Sequence, residues 1–465
     1  MTAIAIPELA AGPWRAELRA TLALAWPLVL TQLAQISLGT TDVLFIGRLG
    51  ADALAAGALG VSLFFLLVVC GWGIILATGP MMAQAIGARR HAVREVRRCV
   101  RQGLWAAVAI TALAWPAMHE SGAVLRLLGQ APAAAAAAEE YVRAMAWGLL
   151  PALWFMALRQ FTAALERPLS ALAVQLGVVA VNALGNWALV FGEFGFPALG
   201  LRGSGIASAA ASWAGLVALL AFVSLDRRMR RYRLLGRFWR PDWQRFLQVW
   251  RLGLPIAATL LFEVGVFSGA VYVMGLLGTA ELAAHQIAIQ CAATTFMVPL
   301  GVAQAATMRV GLAAGAGDRA GVHRAGWMAF ALGVGFMTAM AAAISLGRWP
   351  LVGAFLDLGR PENLRAATLA AEFLLVAGLF QLFDGAQVVA LGALRGLGDT
   401  RVPMLIAAFG YWAVAFPAGV ALGFAGGLGG LGIWLGLALG LAVVAVLLTR
   451  RFAVRERLGL GPAPA

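Results

Sequence analysis

Three carboxylates stand where a carboxylate is costly. Asp42, Glu263 and Asp384 each lie well inside a long run of Ala, Leu, Val, Gly and Phe. If such runs cross a membrane, an acid at mid-helix costs roughly 2.5–3.5 kcal/mol for insertion alone. Retaining three argues for ion or proton chemistry, or for buried partners that hold helices together. Glu263 lies twelve residues past Arg251, about 18 Å along a helix. Asp384 lies eleven residues before Arg395, about 16 Å. Both fall at a similar mid-membrane level, where two carboxylates can share one proton or offer hard oxygen ligands to Na⁺. Asp42 is six residues from Arg48, about 9 Å from that boundary. Asn182 and Asn186, spaced i, i+4, share a helix face at comparable depth. Amides donate to a carboxylate and also coordinate a cation; interhelical packing is the rival reading for the asparagines. Glu372, near the end of its run, can snorkel.

No other chemistry is assembled. Cys70, Cys99 and Cys291 are scattered, with no CxxC pair, and the four histidines are unclustered. That excludes a disulfide framework or a thiolate metal site. There is no lysine from which to build a phosphate-binding loop. No nucleophile set is present, so an enzyme is not expected, and no cofactor beyond a coupling ion, Na⁺ or H⁺. The run Arg227–Arg240, interleaved with Tyr232, Phe238 and Trp239, mimics a nucleic-acid patch. Its place between two apolar runs makes it a linker facing anionic lipid instead, and no nucleic-acid partner is expected.

The elements that must position these residues are membrane spans. The chain has 465 residues, 62% hydrophobic and 12% charged, against roughly a quarter charged in soluble proteins. A spanning helix needs about 20 apolar residues. Twelve segments qualify, near 21–47, 53–80, 100–118, 134–158, 168–192, 203–225, 250–275, 282–308, 322–346, 364–392, 403–424 and 429–449. The first is too long for a cleaved leader, and the residues before it lack a basic n-region. With the N-terminus inside, 28 of the 35 arginines fall on the inner side and 7 on the outer. That asymmetry fits both termini in the cytoplasm and assigns the net charge of +14 to sidedness. The Ala/Gly/Arg-rich usage reads as a GC-rich bacterial genome, which implies the bacterial inner membrane.

The chain is also a repeat. An offset of 228 residues pairs Pro27 with Pro255, Gly47 with Gly275, Leu49–Gly50 with Leu277–Gly278 and Gly73 with Gly301. The expected architecture is all-α, with residues 1–225 as one six-helix bundle and 226–249 as a basic cytoplasmic linker. Residues 250–465 form a second bundle with a short tail. Six spans per half give both copies the same orientation, related by pseudo-two-fold symmetry about the membrane normal. The charges break the symmetry: Asp42 maps to Ala270, and Glu263 to Gln35.

At these residues the sequence resembles the multidrug and toxic-compound extrusion (MATE) family, in its NorM-like branch. The matching stretches are P-L-V-L-T-Q from Pro27, T-D-V-L-F-I-G-R around Asp42 and V-N-A-L-G-N-W around Asn182. In the second half they are L-F-E-V-G-V-F around Glu263, A-A-H-Q at Ala283–Gln286 and F-D-G-A-Q-V-V-A-L-G-A-L-R-G around Asp384. The resemblance implies an alternating-access antiporter that exports amphipathic organic cations against inward Na⁺ or H⁺. It implies a cation-coupling site at Glu263 and Asp384, and a drug or proton site at Asp42, Asn182 and Asn186. Gln35, Phe262, Phe267, Gln286 and Phe380 are candidates to line the drug path, with lipid or core packing as the rival. Phe380 is a departure, because NorM-like members can carry Tyr there and a hydroxyl is missing. A monomer in contact with membrane lipid is expected. The rivals are a lipid-linked precursor flippase and a channel. The flippase would line its path with cations, whereas the embedded charge here reads as acidic.

Overall fold

The computed structural model describes residues 12–236 and 238–461. The leader reading over the first residues, Arg237 in the charge count and the last residues of the tail lie outside them. Among the described residues all regular structure is helical.

The long helices are α1 (Pro13–Gly47), α2 (Ala51–Gly87, interrupted at Ala77), α3 (Ala92–His119), and α4, whose parts Pro132–Ala146 and Leu149–Ala164 are bent by 46°. They continue as α5 (Leu169–Phe191), α6 (Gly200–Leu225), α7 (Trp243–Leu277), α8 (Thr279–Gly315) and α9 (Arg319–Leu346). The last are α10 (Leu364–Gly396), α11 (Arg401–Ala425) and α12 (Gly429–Ala453). Ten of these are long and apolar enough to cross a membrane, and the bent α4 makes an eleventh. The twelfth expected span is α3, long enough at 28 residues. Its first turns carry Arg94, Arg97, Arg98 and Arg101, which dilute its apolar character.

Large apolar side chains stand open along the outer faces of these helices, among them Leu113, Leu184, Val217, Leu405 and Val446. In water such faces would drive association. In hydrocarbon they are solvated, and a helix is the form that satisfies its backbone polar groups internally.

The repeat is visible in the elements. Helices α2 and α8 begin and end 228 residues apart. The short helices Ser121–Leu127 and Arg348–Phe355 follow α3 and α9 at matching places. The turns into α2 and α8 pass through Gly50 (φ 110°) and Gly278 (φ 152°), a backbone region that a side chain rarely adopts. Another repeated pair serves close packing. A β-carbon on Gly73 would collide with the backbone of Ala257, and one on Gly301 with Val29. These contacts are related by the same 228-residue offset.

The chain divides into two compact units: residues 30–260, and residues 12–29 together with 261–461. The first part of α1 therefore packs among second-half helices, and the first part of α7 among first-half helices. Linear bounds at residues 225 and 250 do not reflect this exchange. A sequence repeat marks what was duplicated, whereas a compact unit marks what is packed, and the Gly73 and Gly301 contacts pull the two apart. In the second unit Glu17 of α1 receives Arg309 of α8 through both oxygens, Nε–Oε1 2.9 Å and Nη2–Oε2 2.7 Å. In the first, the starts of α3 and α7 are tied by Arg98 Nε to Asp242 Oδ2 at 2.5 Å and by an Arg245–Glu95 ion pair. Burial opposes ionisation of Glu95 and Asp242. Arg98 and Arg245 outweigh it and hold both carboxyls below the usual carboxylate range.

Candidate functional site

In the first unit, α1 brings Asp42 to a place where α5 and α6 meet it with donors. Asn182 Nδ2 donates to Asp42 Oδ1 at 3.0 Å, and Asn186 Nδ2 to the same oxygen at 2.8 Å. Ser208 Oγ donates to Oδ2 at 2.7 Å and accepts from Asn182 Nδ2 at 3.0 Å. All four side chains are buried. The i, i+4 spacing on α5 places both amides on one face, and Asn186 Nδ2 also reaches the Asn182 carbonyl at 3.0 Å. The three donors replace the hydration that the carboxylate gives up. The amide oxygens Oδ1 of Asn182 and Asn186 are buried and make no hydrogen bond. The N–H and O–H ends of its neighbours face Asp42, so the site presents one buried carboxylate, which a proton or a small cation can neutralise.

Ser208 is the member that the sequence reasoning missed. Ser204, Ser208 and Ser212 repeat at i+4 along one face of an otherwise apolar helix, and that spacing is the signal that marks it. Tyr141, fully buried, lies within the electrostatic reach of Asp42.

In the second unit Glu263 of α7 and Asp384 of α10 come within electrostatic reach of each other and of Tyr411 on α11. Gln387 Nε2 donates to Asp384 Oδ1 at 3.3 Å, and Tyr411 Oη donates to Gln387 Oε1 at 3.2 Å. Tyr411 lies in a π-helical stretch, Phe409–Ala415, and such widened turns recur where a side chain is re-aimed for function. Phe380 brings no hydroxyl to the cluster; the cluster's phenol is that of Tyr411, which reaches Gln387. Among the described residues no three His, Cys, Asp or Glu side chains gather as a metal-ligand set; the cluster offers two carboxylates, one amide and one phenol.

Phe380 is buried in the apolar core, edge-on to Phe267 (5.9 Å) and Trp434 (5.6 Å). Phe262 is half-buried beside the same core. Gln286 is exposed on α8. Gln35 does not mirror the role of Glu263 but accepts a hydrogen bond from Arg159.

Two arginines near helix ends are also drawn into the protein interior. Arg159 lies on the second part of α4, five residues before its end, and Arg395 lies in the last turn of α10. Arg159 is 4% exposed. Arg395 buries Nε and Nη2 without a hydrogen bond and acts on Glu263 as a nearby positive charge. Both lie within five residues of a helix end, where a count by sequence position assigns them to loops.

A sequence profile of the MatE family matches residues 27–188 and 255–420 of the chain; the two segments start 228 residues apart. The chain is 53% identical over 447 residues to a probable multidrug resistance protein NorM of Mesorhizobium japonicum, covering 96% of this chain and 95% of that one. It is 49% identical over 443 residues to the protein of the same description in Brucella suis, covering 95% and 94%. Among solved structures it superposes on the eukaryotic MATE transporter AtDTX14 with a TM-score of 0.82 at 19% identity, covering 96% and 99%. It superposes on the Vibrio cholerae MATE transporter VcmN in its bent form with a TM-score of 0.83 at 18% identity, covering 96% and 98%.

Proposed function

The chain belongs to the MatE family of transporters, and from that premise we propose that it is a multidrug exporter of the bacterial inner membrane. In this reading it exchanges amphipathic organic cations for inward Na⁺ or H⁺ by alternating access, with both termini in the cytoplasm. The observation that carries the reading is a buried carboxylate in each half, on helices apolar enough to span. Asp42 is ringed by Asn182, Asn186 and Ser208. Glu263 and Asp384 stand beside Gln387 and Tyr411. The names of the NorM relatives support multidrug cargo.

Coupling requires each ligand to favour a different access state. A carboxylate that is ionised opposite an organic cation and neutralised by the coupling ion supplies that difference. Gln387 and Tyr411 oxygens would complete a site for a small cation at Glu263 and Asp384. The test is dye efflux from proteoliposomes with Na⁺ and pH gradients imposed separately. Uphill export under one of them, with saturation, is expected. Export that ignores both gradients, or that only runs downhill without saturating, overturns antiport. Translocation of a lipid-linked pyrophosphate in place of the dye would favour the flippase, a reading to which the buried arginines lend some chemistry.

A further inference from the structure

Arg159 is a cation inside a membrane helix without an anion. It sits on the second part of α4, five residues before Ala164, about 7.5 Å from the helix end. It is 4% exposed. Its Nη1 donates to Gln32 Oε1 at 3.1 Å and to Gln35 Oε1 at 3.3 Å, while Nε is buried with no hydrogen bond. Among the described residues no carboxylate pairs with it. A guanidinium has five N–H donors and no acceptor, and two neutral carbonyl oxygens leave most of that capacity unused. Burying an unpaired charge is costly, and a buried charge ordinarily finds a partner. The two glutamines, i and i+3 on α1, share a face. By turning their oxygens to Arg159 they leave both amide NH₂ groups free to donate. The cluster is therefore donor-only, which is the complement of a carboxylate. The next charge along this face of α1 is Asp42, seven residues beyond Gln35, about 10 Å away.

We infer that Arg159, with Gln32 and Gln35, is a subsite for the carboxylate of a zwitterionic substrate whose cationic end lies toward Asp42. The inference rests on the reading of the chain as an exporter of organic cations and adds a second charge to its cargo. Arg159 supplies a planar fork that matches a carboxylate with two parallel bonds. A carboxylate at Asp42 and a guanidinium at Arg159 would favour a molecule carrying both signs over one carrying the cation alone.

Two dyes that differ in one group test this. Rhodamine 110 carries a free benzoate beside its cationic ring system; rhodamine 123 is its methyl ester. Binding of each to the purified full chain is followed by fluorescence polarisation. Arg159→Gln is expected to weaken rhodamine 110 at least tenfold more than rhodamine 123, and Arg159→Lys to recover part of that difference. Gln35→Glu places a carboxylate on the guanidinium and is expected to move the ratio in the same direction; it serves as the readout if Arg159→Gln does not fold. An equal change for both dyes assigns Arg159 a packing role and overturns the inference, as does a wild-type protein that does not bind rhodamine 110. Failure of the export reading would show differently, as intact binding of both dyes with no efflux from proteoliposomes.

Discussion

Asp42 accepts from three buried side chains, so its replacements separate charge from satisfaction. Asp42→Asn keeps one acceptor oxygen and the side-chain shape. It is expected to lower dye efflux at least tenfold while thermal unfolding in detergent moves little. Asp42→Ala removes the acceptor shared by Asn182, Asn186 and Ser208, leaving the Ser208 hydroxyl and one N–H of each amide unsatisfied at about 1–3 kcal/mol for each group, and is expected to unfold markedly earlier. Equal melting of the two variants would show that the hydrogen bonds contribute little. In the second unit Glu263→Gln and Asp384→Asn are expected to abolish gradient-driven efflux with expression intact; normal efflux from either removes it from the coupling site. The acids and asparagines were legible in the sequence because a charge or an i, i+4 amide pair stands out against apolar runs. Ser208 was not, since a serine in a span reads as packing. Neither was Tyr411, because a π-helical turn breaks the 3.6-residue period by which faces are counted. Arg159 was hidden by its nearness to a helix end.

At the scale of elements, twelve helices and the 228-residue repeat could be read from apolar length and matched glycines. The exchange of the first parts of α1 and α7 could not, since it depends on which helix packs against Gly73 and Gly301. Replacing Gly301 by Val drives a branched side chain into the backbone of Val29. It is expected to cost at least the ~1–3 kcal/mol typical of overpacking, read as a lower unfolding temperature. The tie between the starts of α3 and α7 makes a separate prediction. Glu95 and Asp242 have folded-state carboxyls held below their ordinary values. Their contribution is therefore fully present above the ordinary carboxyl range, roughly pH 4, and is lost as pH falls through the depressed folded values. Both groups are partly exposed, so the effect is small, about 1 kcal/mol or less. Thermal unfolding between pH 7 and pH 3 should fall less steeply in the Glu95→Gln, Asp242→Asn double variant than in the wild type. Parallel curves would show that the tie is fully screened.

For the whole molecule the deciding question is parity, and it turns on α3. If α3 crosses, twelve spans put the loop near Gln130 outside and the basic stretch from Asp226 to Asp242 inside, with both termini together. If α3 lies along the surface, every later loop changes side and the charge asymmetry of 28 against 7 no longer follows the membrane. The physical case for crossing is that the basic residues of α3 are confined to its start. Arg98 is held there by Asp242, and the apolar remainder exposes Leu113 to lipid. Arginine at an inner boundary anchors a span; it does not prevent one. Single cysteines at Gln130 and at Arg228, in a chain whose Cys70, Cys99 and Cys291 have been replaced, separate the cases. A membrane-impermeant maleimide added to intact cells is expected to label position 130 and to reach position 228 only after the cells are opened. Labelling of position 228 but not of position 130 in intact cells would leave α3 on the inner surface, remove the pseudo-symmetric partner of α9, and return the two halves to unequal numbers of spans.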